Sequence, residues 1–363
     1  MTKKNTSTGE FPVFKTHKSG DKKVFALEDP NERRAYFFHK AGPEIRLVRN
    51  YLKRGTFVAF LLGKKNSGKG TYSKLFIEAV GKEHIIHVSI GDVVRNAHKE
   101  AERLATRKTL AAYLGAHYRG ALSVDRILDV ITGRDTTTLL PTEVILALVE
   151  RAIGQAGGKA VFVDGFPRTM DQVSLALYFR ALMGYRDDPD FFVFLNVPNT
   201  VIDERIKNRV ICPTCNTPRS LKLLRTKEAG YDEKKKEFFL KCDNPDCHGA
   251  RMVPKEGDEL GIEPLRKRIE MDDHISDMLL QMSGTDKILL RNSIPASARA
   301  KVDAYEITPA YTYRWDTKIK RVIIGQEPWS IADDSGVRSY SLLPAAVVLA
   351  FIKQAAALLS KRT

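Results

Sequence analysis

The stretch Gly63-Lys64-Lys65-Asn66-Ser67-Gly68-Lys69-Gly70-Thr71 follows the pattern G-x4-G-K-G-T and decides the predicted fold. It comes directly after the apolar run Phe57 to Leu62, which is typical of a buried strand. The residues that follow, Tyr72 to Val80, have the apolar spacing of a helix. A strand, a glycine-rich turn and a helix are the context that a phosphate-binding loop requires. The sequence therefore predicts an α/β protein that binds a nucleotide.

Each residue type in this loop suits the binding of a polyanion. Glycines let backbone N–H groups turn toward a phosphate, and the N-terminus of the following helix adds partial positive charge. We expect the Lys69 ammonium group to reach the β- and γ-phosphates and the Thr71 hydroxyl to bind Mg²⁺. The predicted ATP-binding residues of the loop are Asn66, Ser67, Gly68, Lys69, Gly70 and Thr71.

The chain has 363 residues and a formal net charge of +15, and 43% of its residues are hydrophobic, enough for a full core and about two domains. Residues 1–55 hold 13 Lys and Arg against six Asp and Glu, about half of the excess. A basic segment of this kind can bind nucleic acid. We favour the alternative, a solvated extension of an enzyme whose substrates are anionic, in which the aromatic-bearing part around 23–40 packs on the core.

No apolar run in the chain reaches membrane-spanning length. The longest, Leu342 to Leu359, contains Pro344, Lys353 and Gln354, so it predicts a buried helix instead. The N-terminus is polar and lysine-bearing, which indicates that no secretory signal is present. We therefore expect a cytoplasmic protein without a membrane partner.

Three further segments place charged side chains after predicted strands. The first runs from His87 through Ser89-Ile90-Gly91-Asp92 to Arg95 and turns from a strand into a helix. In the second, the apolar strand from Ala160 ends at Asp164, an acid that suits the water shell of Mg²⁺. Gly165-Phe166-Pro167-Arg168-Thr169-Met170-Asp171-Gln172 follow it. The third is the strand Phe191 to Val197, followed by a helix with Arg205 and Arg209 on one face.

In this order the four segments resemble the adenylate kinase branch of the nucleoside monophosphate kinases. That family shows G-x4-G-K-G-T, S-T-G-D before two hydrophobic residues and Arg, D-G-F-P-R-T-x-x-Q, and an E/D-R-x-x-G-R helix. The resemblance covers about residues 56–281. It implies a three-layer α/β P-loop kinase core with a parallel sheet, spanning 56–363 after a basic N-terminal extension at 1–55. It also implies an acceptor arm at about 92–150 and a zinc-binding lid at about 210–256.

The resemblance implies roles for individual side chains. Arg205 would pack on the donor adenine, Arg209 would grip the transferred phosphate, and Asp164 would organise Mg²⁺ with Asp92 nearby. On the acceptor side, Arg95 and Arg168 would clamp the monophosphate and Gln172 would read the base. The implied catalytic residues are Lys69, Asp164, Arg168, Arg209 and Arg268, and the implied acceptor-site residues are Ile90, Arg95, Gly165, Arg168 and Gln172.

The implied reaction is reversible phosphoryl transfer from Mg-ATP to a nucleoside monophosphate, with AMP as the expected acceptor and a monomer as the expected state. One alternative is a kinase of UMP/CMP type or of broad specificity. Another is an RNA-associated P-loop protein with little kinase activity. The reaction needs several cations around one point, because two polyanions meet head to head.

All four cysteines lie within a short part of the chain, as Cys212 and Cys215 in C-x2-C and as Cys242 and Cys247 in C-x4-C. Four thiolates at such spacing predict a structural Zn²⁺ site. The looser second pair leaves open that His248, Asp243 or Asp246 replaces one sulfur, and disulfides are a further alternative.

The sequence also departs from the family pattern. Ile90 stands where the family usually has threonine beside the acceptor base, and Lys255 stands for the family's arginine after the lid. The 45 residues between Arg95 and Pro141 predict a longer acceptor arm, with helical segments at Ala97 to Ala116 and Val124 to Ile131. For the last core strand we expect Lys320 to Ile324 or Trp329 to Ala332, and for the closing helix Leu343 to Leu359.

Overall fold

A computed structural model describes residues 11–134, 140–174 and 189–362. The strands in chain order are β1 (Val58–Leu62), β2 (Ile85–Ser89), β3 (Ala160–Asp164), β4 (Asp190–Asn196), β5 (Arg209–Ile211), β6 (Pro218–Ser220), β7 (Ala229–Asp232), β8 (Glu237–Leu240), β9 (Val253–Pro254), β10 (Asp286–Arg291), β11 (Ser293–Pro295), β12 (Pro309–Asp316), β13 (Arg321–Pro328), β14 (Ser330–Ala332) and β15 (Arg338–Ser341). The α-helices are Pro30–Tyr51, Lys69–Val80, Ile90–Glu102, Leu104–His117, Val124–Ile131, Thr142–Gln155, Met170–Ser174, Asn199–Lys207, Arg266–Gln281 and Pro344–Leu359.

A five-stranded parallel sheet forms the centre, in the order β10-β4-β1-β3-β2. Val58 of β1 lies opposite Val161 of β3, and Phe60 lies opposite Phe192 of β4. All five residues of β1 are buried because helices cover both faces of the sheet, which explains its continuous apolar sequence. The phosphate loop leaves the carboxyl end of this central strand, where open parallel sheets bind their ligands.

Two apolar clusters separate the sheet from its helices. On one face, Ala59 and Phe162 pack with the helices Pro30–Tyr51, Lys69–Val80 and Pro344–Leu359. On the other face, β1 and β4 pack with Thr142–Gln155 and Arg266–Gln281, through apolar residues that include Phe60, Phe192, Val149 and Ile275. Helices on both faces of a parallel sheet confirm the predicted three-layer α/β core.

The helix Pro30–Tyr51 supplies part of this core, although it lies within the basic segment 1–55. Tyr36 and Phe37 are fully buried. The hydroxyl of Tyr36 donates to the buried Glu306 at 2.6 Å, and Lys40 pairs with Asp303. These contacts join the N-terminal helix to the C-terminal part of the chain.

The region predicted as the acceptor arm consists largely of helices. Ile90–Glu102, Leu104–His117 and Val124–Ile131 pack with Thr142–Gln155 around an apolar cluster of their own. The predicted helix Val124 to Ile131 is thereby confirmed. Residues 135–139 of the predicted arm lie outside the described residues.

Small antiparallel sheets form the cysteine module, which we define as residues 209–254. They are β6-β5-β9 and β7-β8. The hairpin β12-β13 packs against this module, with Trp315 stacked on Tyr231 and Tyr313 stacked on Phe238 at ring-centroid distances of 5.3 and 5.7 Å. The Tyr313 hydroxyl also donates to the Leu221 carbonyl at 2.7 Å.

The expected position of the last core strand was wrong. The strand beside β4 is β10, whereas Lys320 to Ile324 falls largely in the hairpin β12-β13 and Trp329 to Ala332 lies at β14 in a separate small sheet. β10 is an edge strand in which Ile288 and Leu290 are buried while charged residues occupy its ends, so its apolar signal is short. The closing helix is confirmed as Pro344–Leu359, and twelve of its residues are buried.

Among the helices that the structure describes, none combines the length and apolar composition needed to cross a membrane.

Candidate active site

The phosphate loop is shaped by glycine backbone conformations. Gly63 has φ of 136°, and a Cβ there would lie 2.6 Å from the carbonyl oxygen of Leu195 in β4, so only glycine lets the loop leave the sheet here. Asn66 and Gly68 also have positive φ, at 64° and 99°. The helix then begins at Lys69, with Gly70 and the exposed Thr71 in its first turn.

Lys69 lies across the loop. Its ammonium group donates to the carbonyl oxygens of Gly63 and Lys64, at 2.7 and 3.0 Å. Burial lowers the pKa of Lys69, and the nearby Asp164 opposes that effect. The buried hydroxyl of Ser67 has no hydrogen-bond partner among the described residues. An unsatisfied hydroxyl and a desolvated cation fit a loop that receives a phosphate.

Asp164 ends β3 beside the last residues of β2. Its Oδ2 lies 3.7 Å from Nε2 of His87. Burial raises the pKa of Asp164, but His87, Lys69 and Arg168 outweigh burial and hold that pKa below its ordinary value. An ionised carboxylate close to the phosphate loop fits the predicted Mg²⁺ role, because Mg²⁺ prefers oxygen ligands. No role was predicted for His87 from the sequence, although it lies three residues before Ile90 in a segment that was noted.

Arg168 is fixed by its immediate neighbours. Its Nε donates to the Gly165 carbonyl at 2.6 Å, and its backbone N–H donates to Oε1 of Gln172, also at 2.6 Å. Gly165 has φ of 86°, and a Cβ there would lie 2.6 Å from Nη2 of Arg168. Close contacts therefore hold Gly165, Arg168 and Gln172 together at the end of β3.

Arg268 joins these three residues to the phosphate loop. It donates to the Arg168 carbonyl at 2.9 Å and pairs with Asp272 at 2.8 Å. Asp272 also accepts the backbone N–H of Lys65 at 2.8 Å. Burial and the neighbouring Arg268 lower the pKa of Arg168, as expected for two guanidinium groups close together. Asp272 was not predicted from the sequence, although its spacing of four residues from Arg268 on a helix was an available signal.

Arg205 reaches the other side of the loop. Its guanidinium donates to the Ser67 carbonyl at 3.4 Å and to Oδ1 of Asn292 at 3.3 Å. Asn292 is fully buried and donates to the hydroxyl of Tyr72 at 2.9 Å. No sequence signal could have identified Asn292, since its partners come from distant parts of the chain.

The structure thus brings Lys69 and Arg268 to one small cleft beside Gly165, with Asp164 and Arg168 close enough to Lys69 to affect its pKa. Three other predicted site residues make their contacts outside that cleft. Arg95 pairs with Asp92, and both side chains are more than 60% exposed. Arg209 pairs with Asp258, and Ile90 is 2% exposed and packs in the apolar cluster beneath the sheet.

The four cysteines lie in two tight turns. In the first, the backbone N–H of Asn216 donates to the Cys212 carbonyl oxygen at 2.9 Å, and Asn216 has φ of 57°. In the second, the N–H of Cys247 donates to the Asn244 carbonyl at 3.0 Å. These turns bring Cys212, Cys215, Cys242 and Cys247 together although they belong to separate parts of the module.

The sulfur positions fit a tetrahedral metal site better than disulfides. All four Sγ atoms lie within 4.8 Å of one another. Sγ of Cys215 lies 3.7 Å from Sγ of Cys242, far beyond a disulfide bond. Zinc–sulfur bonds of about 2.3 Å in a tetrahedron place sulfurs about 3.8 Å apart. The donor set in this group consists of the four cysteines, without His248, Asp243 or Asp246.

A phosphate loop at the end of the central strand, an ionised aspartate and three converging cations define a P-loop kinase. The comparisons make the class more specific. The family model described as an AAA domain matches residues 62–211. The adenylate kinase of Citrifermentans bemidjiense is 30% identical over 200 residues, which is 55% of this chain and 75% of that protein.

Two other relatives give the same result. The adenylate kinase of Chlamydia caviae is 27% identical over 212 residues, 58% of this chain and 77% of that protein. The adenylate kinase of Clostridium beijerinckii is 26% identical over 230 residues, 63% of this chain and 87% of that protein. The protein is a nucleoside monophosphate kinase. It belongs to the adenylate kinase family.

Proposed function

We propose that this protein transfers the γ-phosphoryl group of Mg-ATP to AMP and forms two molecules of ADP reversibly. The bond between the γ-phosphorus and the β–γ bridging oxygen breaks, and a bond forms to an oxygen of the AMP phosphate. The observation that carries this proposal is the convergence of Lys69, Arg168 and Arg268 beside the ionised Asp164. Such convergence stabilises the charge of the transferring group, which is most of what an enzyme does in phosphoryl transfer.

On the donor side, the phosphate loop would bind the ATP phosphates. Lys69 exchanges its hydrogen bonds to Gly63 and Lys64 for bonds to the β- and γ-phosphates. The Thr71 hydroxyl and, through water, Asp164 would hold Mg²⁺, which supplies charge neutralisation between these phosphates. Arg205, already beside Ser67, packs on the adenine.

On the acceptor side, Arg168 and Arg95 clamp the monophosphate. The Asp92 partner of Arg95 is exposed, so a dianionic phosphate replaces it at little cost. Gln172 reads the base. Its carbonyl oxygen already accepts the N–H of Arg168, but an sp² oxygen has a second lone pair and the amide nitrogen donates. The amino group of adenine can donate to that second lone pair, and a ring nitrogen of adenine can accept from the amide nitrogen of Gln172.

The cysteine module acts as the lid. We assign the acceptor arm to about 92–150 and the lid to about 210–256. Arg209, at the start of the module, exchanges Asp258 for the transferring phosphate when the lid closes. Closure excludes water and so protects ATP from hydrolysis.

We assign the lid a structural Zn²⁺ held by Cys212, Cys215, Cys242 and Cys247. The S–S spacing and the absence of carboxylate or imidazole from this group support zinc. The module has only a small apolar cluster, so a metal supplies much of its folding energy.

The test is a coupled assay of nucleoside diphosphate formation from ATP with AMP, dAMP, UMP, CMP and GMP. We expect the highest kcat/KM for AMP or dAMP, because the amide of Gln172 can both accept from and donate to the adenine edge. A higher kcat/KM for UMP or CMP would overturn the choice of acceptor. Turnover with none of the five, together with salt-dependent retention of RNA, would favour the RNA-associated alternative instead.

A further inference from the structure

The C-terminal part of the chain sends one carboxylate to the phosphate loop. Asp334 lies in the turn between β14 and β15, 270 residues beyond Lys64. Its Oδ2 lies 2.8 Å from Nζ of Lys64. Its Oδ1 accepts the backbone N–H of Asn199 at 2.7 Å, and Asn199 is the first residue of the helix that carries Arg205.

The turn that carries Asp334 is held in place from both sides. Oδ1 of Asp333 accepts the backbone N–H groups of Ser335 and Val337, at 3.0 and 2.9 Å. The hydroxyl of Thr200 donates to the Ala332 carbonyl at 2.7 Å, which attaches the turn to the helix Asn199–Lys207. The direction of the Asp334 side chain is therefore set by the surrounding backbone.

Lys64 depends on this carboxylate. The residue is 6% exposed, and its ammonium group also donates to the Val197 carbonyl at 3.3 Å. Among the described residues, Lys64 also pairs with Asp273, at the longer distance of 3.7 Å. A buried cation without a close anion is costly, so loss of Asp334 would displace Lys64 and the loop backbone attached to it.

The helix depends on Asp334 in a different way. The carboxylate caps a free N–H at the helix N-terminus, where negative charge is favourable. Arg205, later on that helix, contacts Ser67 within the phosphate loop. One side chain thus fixes both the loop and the helix that approaches it.

We propose that Asp334 is a positioning residue for the donor nucleotide, acting on the phosphate loop through Lys64 and on the Arg205 helix through Asn199. This inference rests on the proposed function, in which the loop and Arg205 bind ATP. Hydrogen bonds join Asp334 to the donor side, whereas Arg168 and Gln172 belong to the acceptor side. Its loss should therefore weaken the use of ATP and leave the use of the monophosphate unchanged.

Steady-state kinetics of two variants test the proposal. Asp334→Ala removes both interactions, while Asp334→Asn keeps an oxygen for the Asn199 N–H and removes the charge. We expect KM for ATP to rise roughly three- to tenfold in the alanine variant, since Asp334 is partly exposed, and less in the asparagine variant. KM for AMP should stay within about twofold in both. Glu327→Gln, an exposed acid on β13, is the matched control.

A double-mutant cycle tests the route through Lys64. If Asp334 acts through Lys64, the rise in KM for ATP in Asp334→Ala/Lys64→Met should be smaller than the product of the single effects. Unchanged KM for ATP in Asp334→Ala would overturn the proposal. Equal increases in both KM values with a lower Tm would also overturn it, because they indicate a merely structural role. If the alanine variant does not fold, KM for ATP and KM for AMP are measured in Asp334→Asn and Lys64→Met instead, and the same outcomes support or overturn the proposal.

Calorimetric titration with ATP alone separates this proposal from the proposed function. If the wild-type protein binds ATP but turns over no monophosphate, the proposed reaction is wrong. The role of Asp334 can still be tested in that case, by comparing Kd for ATP between the wild type and Asp334→Ala. An unchanged Kd for ATP in Asp334→Ala would then overturn the inference.

Discussion

Arg209 and Asp258 form a two-pronged ion pair, in which Nε and Nη2 of the arginine each lie 2.6 Å from a carboxylate oxygen. Asp258 is 8% exposed, so the pair is largely withdrawn from water. A planar fork of this kind binds a phosphate as well as a carboxylate. The carboxylate therefore holds the arginine in the planar geometry that the proposed contact with the transferring phosphoryl group needs.

Arg209→Ala should lower kcat by roughly 10²- to 10³-fold, because an arginine that stabilises the transferring phosphoryl group acts mainly in the transition state. Both KM values should change only a few-fold. Arg219→Ala, on the neighbouring strand β6, is the control and should keep near wild-type kcat. A kcat in Arg209→Ala within threefold of the wild type would remove Arg209 from the reaction.

Lys69→Ala should lower kcat by about 10³-fold or more, since the β- and γ-phosphates lose their nearest cation. The measurement is the initial rate of ADP formation, with circular dichroism to establish that the fold is intact. Lys65→Ala is a close control, because the exposed side chain is removed while the backbone N–H to Asp272 stays. Retention of more than a tenth of wild-type kcat would contradict the role of Lys69.

Arg168→Ala should raise KM for the monophosphate by roughly tenfold or more, as expected when a charge-assisted hydrogen bond worth about 1.5–3 kcal/mol is lost. KM for ATP should change less. Arg266→Ala, an exposed arginine on the helix of Arg268, serves as the control. A larger increase in KM for ATP than for the monophosphate would show that the donor and acceptor sites are reversed.

The purified protein should contain about one zinc per chain when it is prepared under reducing conditions. Chelation should lower Tm, because metal binding contributes folding energy to the cysteine module. Cys247→Ser should lose the metal, whereas Asp246→Asn, an exposed neighbour outside the sulfur cluster, should retain it. Elemental analysis that finds no zinc in the wild-type protein would refute the site.

Stability should depend on pH through Asp273. Burial raises the pKa of Asp273 to about 6, although Lys64 opposes this shift. Because this pKa exceeds the value of about 3.9 in an unfolded chain, the folded protein binds the proton more tightly. The resulting stabilisation is complete below about pH 4 and is lost as pH rises through about 6. Asp273→Asn should therefore raise Tm at pH 7.5 more than at pH 5; equal changes at both pH values would contradict the shift.

The parts of the fold that depend on residues close together in the sequence could be predicted from it. β1, β3 and β4 were predictable because each is a continuous apolar run, and the loop after β1 was predictable because its glycines mark a change of backbone conformation. The cysteine cluster was predictable because ligand spacing within each turn is local.

Contacts between distant parts of the chain were not predictable in the same way. Asp272 was missed because it contacts the N–H of Lys65 only when the helix Arg266–Gln281, which carries Asp272 and Arg268, packs beside the phosphate loop. Asn292 follows an edge strand with a weak apolar pattern, so neither the strand nor its buried amide gave a signal. The pairing of Arg209 with Asp258 likewise depends on how the chain returns from the cysteine module.

The buried side of the helix Pro30–Tyr51 has a practical consequence for solubility. Tyr36, Phe37 and Ile45 have no exposed surface, and they lie in one apolar cluster with the helix Pro344–Leu359. A chain shortened to residues 56–363 would leave much of that last helix in contact with water. An apolar surface of this kind promotes aggregation, so the shortened kinase should precipitate on expression even though every proposed phosphate-binding residue is retained.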